Sequence, residues 1–331
     1  QRRSCCPCTG AASAPSMTKV LAWPAGLRND GERIVPTARP DQRPSSLQNA
    51  ALVTILCLVW SSTWWVIRIC LEEQPPLSSA AVRFVIAGLV MAAVTPLFRR
   101  RERAPPPQTW LWIVCGITNF AGSYGILYVA ETVVPSGLAA VLGAIFPLLM
   151  AGSAVCFLKE RLSLRQWLGF GVSFAGIVVV FYGDLGGVPA GGAGYAWLLL
   201  LSPIVAAAGT TLVKKYGSES SSVILNRNSM LLGAAILLVA AFAREDPLAM
   251  TWSPRVTIAT LGLSIFGTTM TFGIYFWLLR TAPASMLALI NYVIPVLAML
   301  LATAVGDGAH GVWEWTGAGF VVLGIALVVR K

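Results

Sequence analysis

Beyond residue 48 the chain is a succession of apolar stretches separated by short polar ones: 50–70, 79–98, 109–129, 134–157, 166–183, 195–213, 222–243, 255–279, 283–305 and 312–329. Each approaches the roughly 20 residues a helix needs to cross the hydrocarbon of a bilayer. A helix suits that setting because it pairs its own backbone groups where lipid offers no partner. The pattern therefore predicts an all-α polytopic membrane protein with ten transmembrane helices. Residues 1–48, rich in Pro, Ser and Arg and without periodicity, read as a disordered cytoplasmic tail.

Charge orients the bundle. Arg99, Arg100, Arg101 and Arg103, then Lys159, Arg161 and Arg165, then Lys214, Lys215 and Arg227, then Arg280, fall in alternate loops, and Arg330 and Lys331 close the chain. The intervening loops hold Glu72, Glu73, Glu131, Asp184, Glu245, Asp246 and Asp307 with only Arg244 and Arg255 as cations. The excess of cations in cytoplasmic loops of membrane proteins then places both termini in the cytoplasm of a multi-pass cell-membrane protein. The net charge of +10 is topological on this reading and needs no nucleic acid. Composition agrees, because 56% hydrophobic and 11% charged residues would leave a water-soluble fold with too much apolar surface.

The chain repeats itself. Shifting by 148 positions brings Gly125, Pro135, Pro147, Trp167, Gly169, Gly171 and Gly176 onto Gly273, Pro283, Pro295, Trp315, Gly317, Gly319 and Gly324. Shifting by 147 brings Thr63 onto Thr210 and Arg68 onto Lys215. The division is 49–183 for the first half, a Gly-rich linker at 184–194, and 195–331 for the second. Five spans per half is odd, so the two copies lie in opposite orientations, as two inverted five-helix repeats with a site at their interface. The repeated glycines predict close approach of the fifth and tenth helices. Pro147 and Pro295 interrupt the fourth and ninth spans, either as plain kinks or as hinges.

The stretch from Trp60 to Arg68 (WSSTWWVIR), followed by Pro75-Pro76 and Ala81-Val82-Arg83-Phe84, resembles the opening of EamA-type transporters of the drug/metabolite transporter superfamily. Pro135 to Ala140, Phe146-Pro147-Leu148 and Leu158 to Leu162 are similar to the same family's fourth helix. The resemblance covers residues 50–330 and implies two EamA repeats that export small molecules such as amino acids or other metabolites. Two departures are Ser61, where the family has Gly, and Gly308, where many relatives carry Glu.

Helical spacing groups Trp60, Thr63, Trp64 and Ile67 on one face of the first span, and Thr268, Thr271 and Tyr275 on one face of the eighth. Asn119, Ser123 and Tyr124 lie mid-span in the third, Asn291 and Tyr292 in the ninth. Aromatic walls with a few amides and hydroxyls suit an amphipathic small-molecule substrate, so Trp60, Thr63, Trp64, Arg83, Asn119, Tyr124, Thr271, Tyr275 and Asn291 form the candidate cavity. Taken one at a time, these residues equally fit interhelical hydrogen bonds or an interfacial belt. Arg83 is either a water-facing cation that attracts an anionic group or an interfacial cation paired with Glu72 or Glu73. Arg68 ends its helix against the dipole, and Glu160 anchors a loop through Lys159 and Arg161.

Other classes of function find little footing. A membrane-embedded enzyme needs an acid–base pair or metal ligands at membrane depth, and His310 is the single histidine. Cys5 and Cys8 make one C-x-x-C without a second pair, so no metal and no cofactor is expected. A nucleotide-sugar-like carrier and a lipid scramblase remain as alternatives. The expected partners are a small-molecule substrate and the lipid bilayer, with the protein a monomer or weak homodimer. With no carboxylate in a span centre, facilitated efflux is favoured over proton coupling.

Overall fold

In the computed structural model, residues 46–134, 136–182, 192–305 and 311–330 are described. The expected tail up to residue 45, Cys5, Cys6 and Cys8 within it, Gly308, and all but residues 192–194 of the expected linker lie outside them. Ten helices account for almost all of the described chain: α1 Ser46–Leu71, α2 Pro76–Glu102, α3 Thr109–Glu131, α4 in two segments Ser136–Gly143 and Phe146–Leu158, and α5 Leu164–Val180. The second set is α6 Ala193–Gly217, α7 Ser222–Arg244, α8 Pro254–Thr281, α9 in two segments Ala284–Ala288 and Ile290–Val305, and α10 Val312–Val329. Nine are long and apolar enough to cross a membrane, and α5, at 17 residues, is the short one.

Serines start several of them. Ser163, Ser221 and Ser253 each accept a hydrogen bond from a first-turn backbone N–H, and Gln166 reaches back to the Ser163 N–H to complete a capping box. Such caps satisfy donors that a helix leaves open at its amino end. Leu89, Val239, Phe242, Ile258 and Val322 stand more than half exposed on the outer surface. That is the surface lipid covers, since bilayer chains are as apolar as these side chains.

The inversion of the repeats is visible in two antiparallel pairs of equivalent helices. α5 and α10 cross with backbones nearly touching: a Cβ on Gly176 would sit 2.7 Å from the carbonyl oxygen of Gly317, and one on Gly317 2.6 Å from that of Gly176. Gly169 and Gly324 repeat the arrangement two turns away. Gly171 and Gly319, expected to belong to this contact, have no neighbour within 4 Å and lie off it, because two residues along a helix turn the side chain through more than half a circle.

α2 and α7 form the other pair, fastened at both ends by carboxylates. Glu102, at the end of α2, accepts from the hydroxyls of Ser221 and Ser222 and from the Ser222 backbone N–H, where α7 begins. Glu245, just past α7, accepts from the Leu77 and Ser78 N–H groups and the Ser78 hydroxyl, where α2 begins. A carboxylate at a helix amino end meets both free N–H donors and the positive end of the dipole.

The first helix of each repeat packs across the molecule: α1 lies on α8 and α9, and α6 lies on α3 and α4. α3 and α8 each contain a π turn, Gly116–Gly122 and Ile265–Met270, at corresponding positions. The face of the bundle that carries the start of α1 and the end of α10 is called here the terminal face.

Candidate functional site

Two prolines shape the middle of the bundle. Pro147 lies in the first turn of the second α4 segment, and Pro295 lies within the second segment of α9. Proline has no N–H, so the carbonyl four residues earlier loses its usual donor. Those carbonyls belong to Gly143 and Asn291, which correspond under the 148-residue shift. Both residues line a cavity of about 180 Å³ between the repeats.

Trp60, Thr63, Trp64, Arg83, Asn119, Tyr124, Tyr275 and Asn291 line this cavity as well. Thr271 does not. It is fully enclosed, and its hydroxyl donates to the Gly267 carbonyl at 2.8 Å. The π turn holds Thr268 and the α-helix resumes at Thr271, and of the expected face of Thr268, Thr271 and Tyr275 only Tyr275 reaches the cavity. Residues not singled out as cavity residues include Ser202 and Phe272. The duplication had flagged Thr210, the partner of Thr63, and it too lines the cavity.

Arg83 sits differently from both expectations. It lines the cavity with only 2% of its surface exposed, and Glu72 and Glu73 are engaged elsewhere, with Arg255 and with Ser253. Its guanidinium donates to Thr268 Oγ1 at 2.7 Å, to the Tyr128 hydroxyl at 3.0 Å and to the Gly267 carbonyl at 3.3 Å. The rings of Tyr124 and Phe84 lie 5.1 and 5.7 Å from its Cζ. Neutral oxygens and aromatic faces thus hold a full positive charge in the cavity wall, a task suited to the planar guanidinium with its five donors. Tyr128, one helical turn beyond Tyr124, is the partner that sequence alone did not single out.

Hydroxyls and an amide join the repeats across the cavity. Thr210 donates to Asn119 Oδ1 at 2.9 Å, and Ser123 and Ser202 share a hydrogen bond of 2.9 Å. Gly209 is required here, since a Cβ on it would collide with the side chains of Thr118 and Asn119. Two polar groups of cavity-lining residues are enclosed without a partner among the described residues, the indole N–H of Trp60 and the hydroxyl of Tyr275, whose rings lie 5.5 Å apart.

Depth decides what the cavity can do. Its lining runs from Ile67, Leu127 and Ala139, near the ends of their helices opposite the terminal face, to Thr210, Tyr275 and Asn291 at mid-bundle. Below that level the terminal face is tied shut. Glu160, past the end of α4, accepts from the Ala284 N–H at 2.7 Å and from the N–H and hydroxyl of Ser285, at the start of α9. The Lys214 ammonium donates to the carbonyls of Leu279 and Ala282 at 2.7 and 2.8 Å, and Arg280 pairs with Glu102 at 3.2 Å. Glu160 was expected to anchor its loop through Lys159 and Arg161; its carboxylate instead joins α4 to α9.

The profile of the EamA-like transporter family matches this chain twice, over residues 49–182 and 193–330. The chain belongs to the EamA-like transporter family. It is a multi-pass membrane transporter of the drug/metabolite kind. Among its relatives is the uncharacterized inner membrane transporter YedA of Escherichia coli (strain K12), 32% identical over 277 residues that cover 82% of this chain and 88% of that protein. Protein PagO of Salmonella typhimurium is 26% identical over 76% of this chain and 82% of its own. A probable terminal-alkyne amino-acid exporter of Streptantibioticus cattleyicolor is 30% identical over 48% of this chain and 52% of its own. One solved crystal structure shares the fold at a TM-score of 0.72 and 20% identity, covering 85% of this chain and 96% of that one.

Proposed function

We propose that this EamA-like transporter is a secondary carrier that exports small amphipathic metabolites by alternating access at the cavity between its repeats. The observation that carries the reading is a cavity lined by both repeats, with the terminal face beneath it tied by Glu160. With both termini in the cytoplasm, as the basic loops direct, the terminal face is the cytoplasmic one, and the ties at Glu160, Lys214 and Arg280 close it.

Reversal then means separating α4 from α9 at Glu160 and Ser285, and α6 from α8 at Lys214, while the far halves of the same helices approach. Pro147 and Pro295 are the proposed hinges, because α4 is interrupted at Ala144–Ile145 just before Pro147, and α9 has its break at Leu289 with Pro295 inside the segment that follows. The α2–α7 and α5–α10 pairs, fastened at both ends or packed on glycine, are the fixed frame against which the others rock. No carboxylate is among the described cavity-lining residues, and on this reading the solute's own gradient drives the cycle.

The test is solute flux with purified protein in sealed vesicles, across a panel of small metabolites, with Trp64→Ala as the comparison. Flux of at least one class of solute that falls several-fold in the variant is the expected result. No protein-dependent flux of any solute would reject the reading in favour of a scramblase or other non-transport role.

A further inference from the structure

The cavity holds one full charge and it is positive. Arg83 is the only Asp, Glu, Lys, Arg or His among the lining residues. Its hydrogen-bond acceptors are all neutral: a threonine hydroxyl, a tyrosine hydroxyl and a backbone carbonyl. Glu131, at the end of α3, has a buried carboxylate oxygen with Arg83 and then Arg68 as electrostatic neighbours, and it lies outside the lining, so the described lining itself carries a single charge, that of Arg83.

Enclosed donors point the same way. The Trp60 indole N–H can only donate, and it has no acceptor among the described residues. The Tyr275 hydroxyl, in a side chain 4% exposed, is also unpartnered and lies beside it. Buried polar groups are paired in folded proteins with few exceptions, so these two donors, enclosed behind the lining, are left to pair with an incoming oxygen once their side chains turn toward the cavity. The carbonyls of Gly143 and Asn291 are acceptors on the opposite wall, but they are neutral dipoles and do not balance a guanidinium.

Resting on the transport reading, we infer that the cargo is an organic anion, an amphipathic carboxylate without a free ammonium group. The anionic oxygens are drawn by the field of Arg83 and take hydrogen bonds from Trp60 and Tyr275, while the apolar body lies on the rings of Trp64, Tyr124 and Phe272. A zwitterionic amino acid would bring an ammonium into a wall that has no carboxylate to receive it, and such an uncompensated charge in a site of low polarity is costly. The amino-acid cargo implied by the family resemblance narrows to derivatives with a blocked amine. Outward movement of an anion also suits uncoupled export, since an inside-negative membrane potential drives it out.

A matched series tests this at neutral pH: N-acetylphenylalanine (anion), phenylalanine (zwitterion) and phenylalanine amide (cation), with the corresponding leucine series for a non-aromatic body. Binding to the purified full chain is measured by calorimetry, and flux in vesicles under an imposed potassium diffusion potential. The anion of each series is expected to bind at least tenfold more tightly than its zwitterion and cation. Its equilibrium distribution should follow the potential by about 60 mV per tenfold ratio, as for one moving negative charge.

Arg83→Gln should remove the preference. Should that variant not fold, Tyr275→Phe, which keeps its ring, and Trp60→Phe, which removes the indole N–H, are expected to weaken the anion several-fold, and unchanged anion binding in both overturns the inference. Equal or tighter binding of the zwitterion or cation, or no binding of any member, overturns the inference. Protein-dependent flux of a zwitterion or cation alone would leave the transport reading standing and remove only this one.

Discussion

The carboxylate of Glu160, just past the end of α4, accepts hydrogen bonds from both the backbone N–H and the hydroxyl of Ser285, in the first turn of α9. With the bond from Ala284 this ties the fourth helix of one repeat to the ninth helix, its counterpart in the other. A charge-assisted hydrogen bond of this kind contributes about 1.5–3 kcal/mol. Glu160→Gln is therefore expected to shift the population toward opening at the terminal face by about tenfold or more. Labelling of Ile294→Cys by an impermeant thiol reagent applied from the terminal face should rise accordingly, and an unchanged rate would show that the contact does not hold the gate.

Glu102 carries more than a cap. It is 8% exposed and meets Ser221, Ser222 and Arg280. Removing one partner of a buried ion pair costs about 3–5 kcal/mol, because the other charge is left uncompensated. Glu102→Ala should lower the unfolding temperature far more than Glu72→Ala, whose partner Arg255 is 59% exposed and whose pair is screened by water. Similar melting points for the two variants would contradict this.

The α5–α10 crossing separates two kinds of glycine. At Gly176 or Gly317 an added methyl meets backbone at 2.6–2.7 Å, which no rotamer change relieves, so alanine there is expected to cost about 1–3 kcal/mol. At Gly171 or Gly319 the same change meets nothing and should be neutral or slightly stabilising through helix propensity. Thermal melts of the four single variants in detergent check the contrast.

Glu73, outside the spans, holds the start of α8 through the Ser253 hydroxyl and N–H and the Thr251 hydroxyl. The Ser253 hydroxyl bond foremost keeps its carboxyl below the usual carboxylate range. A lowered folded value means that the contribution is complete above the unfolded value and fades as pH falls through the folded one. The Glu73 carboxyl signal, followed by isotope-edited infrared spectroscopy, should therefore stay ionised at pH values where exposed glutamates have begun to protonate. Protonation together with the exposed glutamates would show the cap to be absent in solution.

Uncoupled movement is also measurable. Substrate-dependent acidification or alkalinisation inside sealed vesicles is expected to be nil, because the cavity lining offers no carboxylate to carry a proton. A pH change that tracks substrate flux would require one.

What the sequence by itself determined is the number of spans, their duplication and the aromatic, polar character of the cavity. These are written in local pattern: apolar length sets a span, and a shift of 148 matches Pro147 to Pro295 and Gly176 to Gly317 whatever their surroundings. Eight of the nine candidate cavity residues line the cavity for the same reason, since helical spacing alone puts Trp60, Thr63 and Trp64 on one face.

Tertiary structure decided the partners. Thr271 left the cavity because neighbouring helices enclose it and its hydroxyl turns back to the Gly267 carbonyl. Gly171 and Gly319 fell off the helix crossing, Glu160 reached α9 instead of its own loop, and Arg83 found Thr268 and Tyr128 in place of water or a nearby acid. The hydrogen bonds of Glu160 and Arg83 join residues from 45 to 185 positions apart, a separation that only the packing of the helices in three dimensions closes.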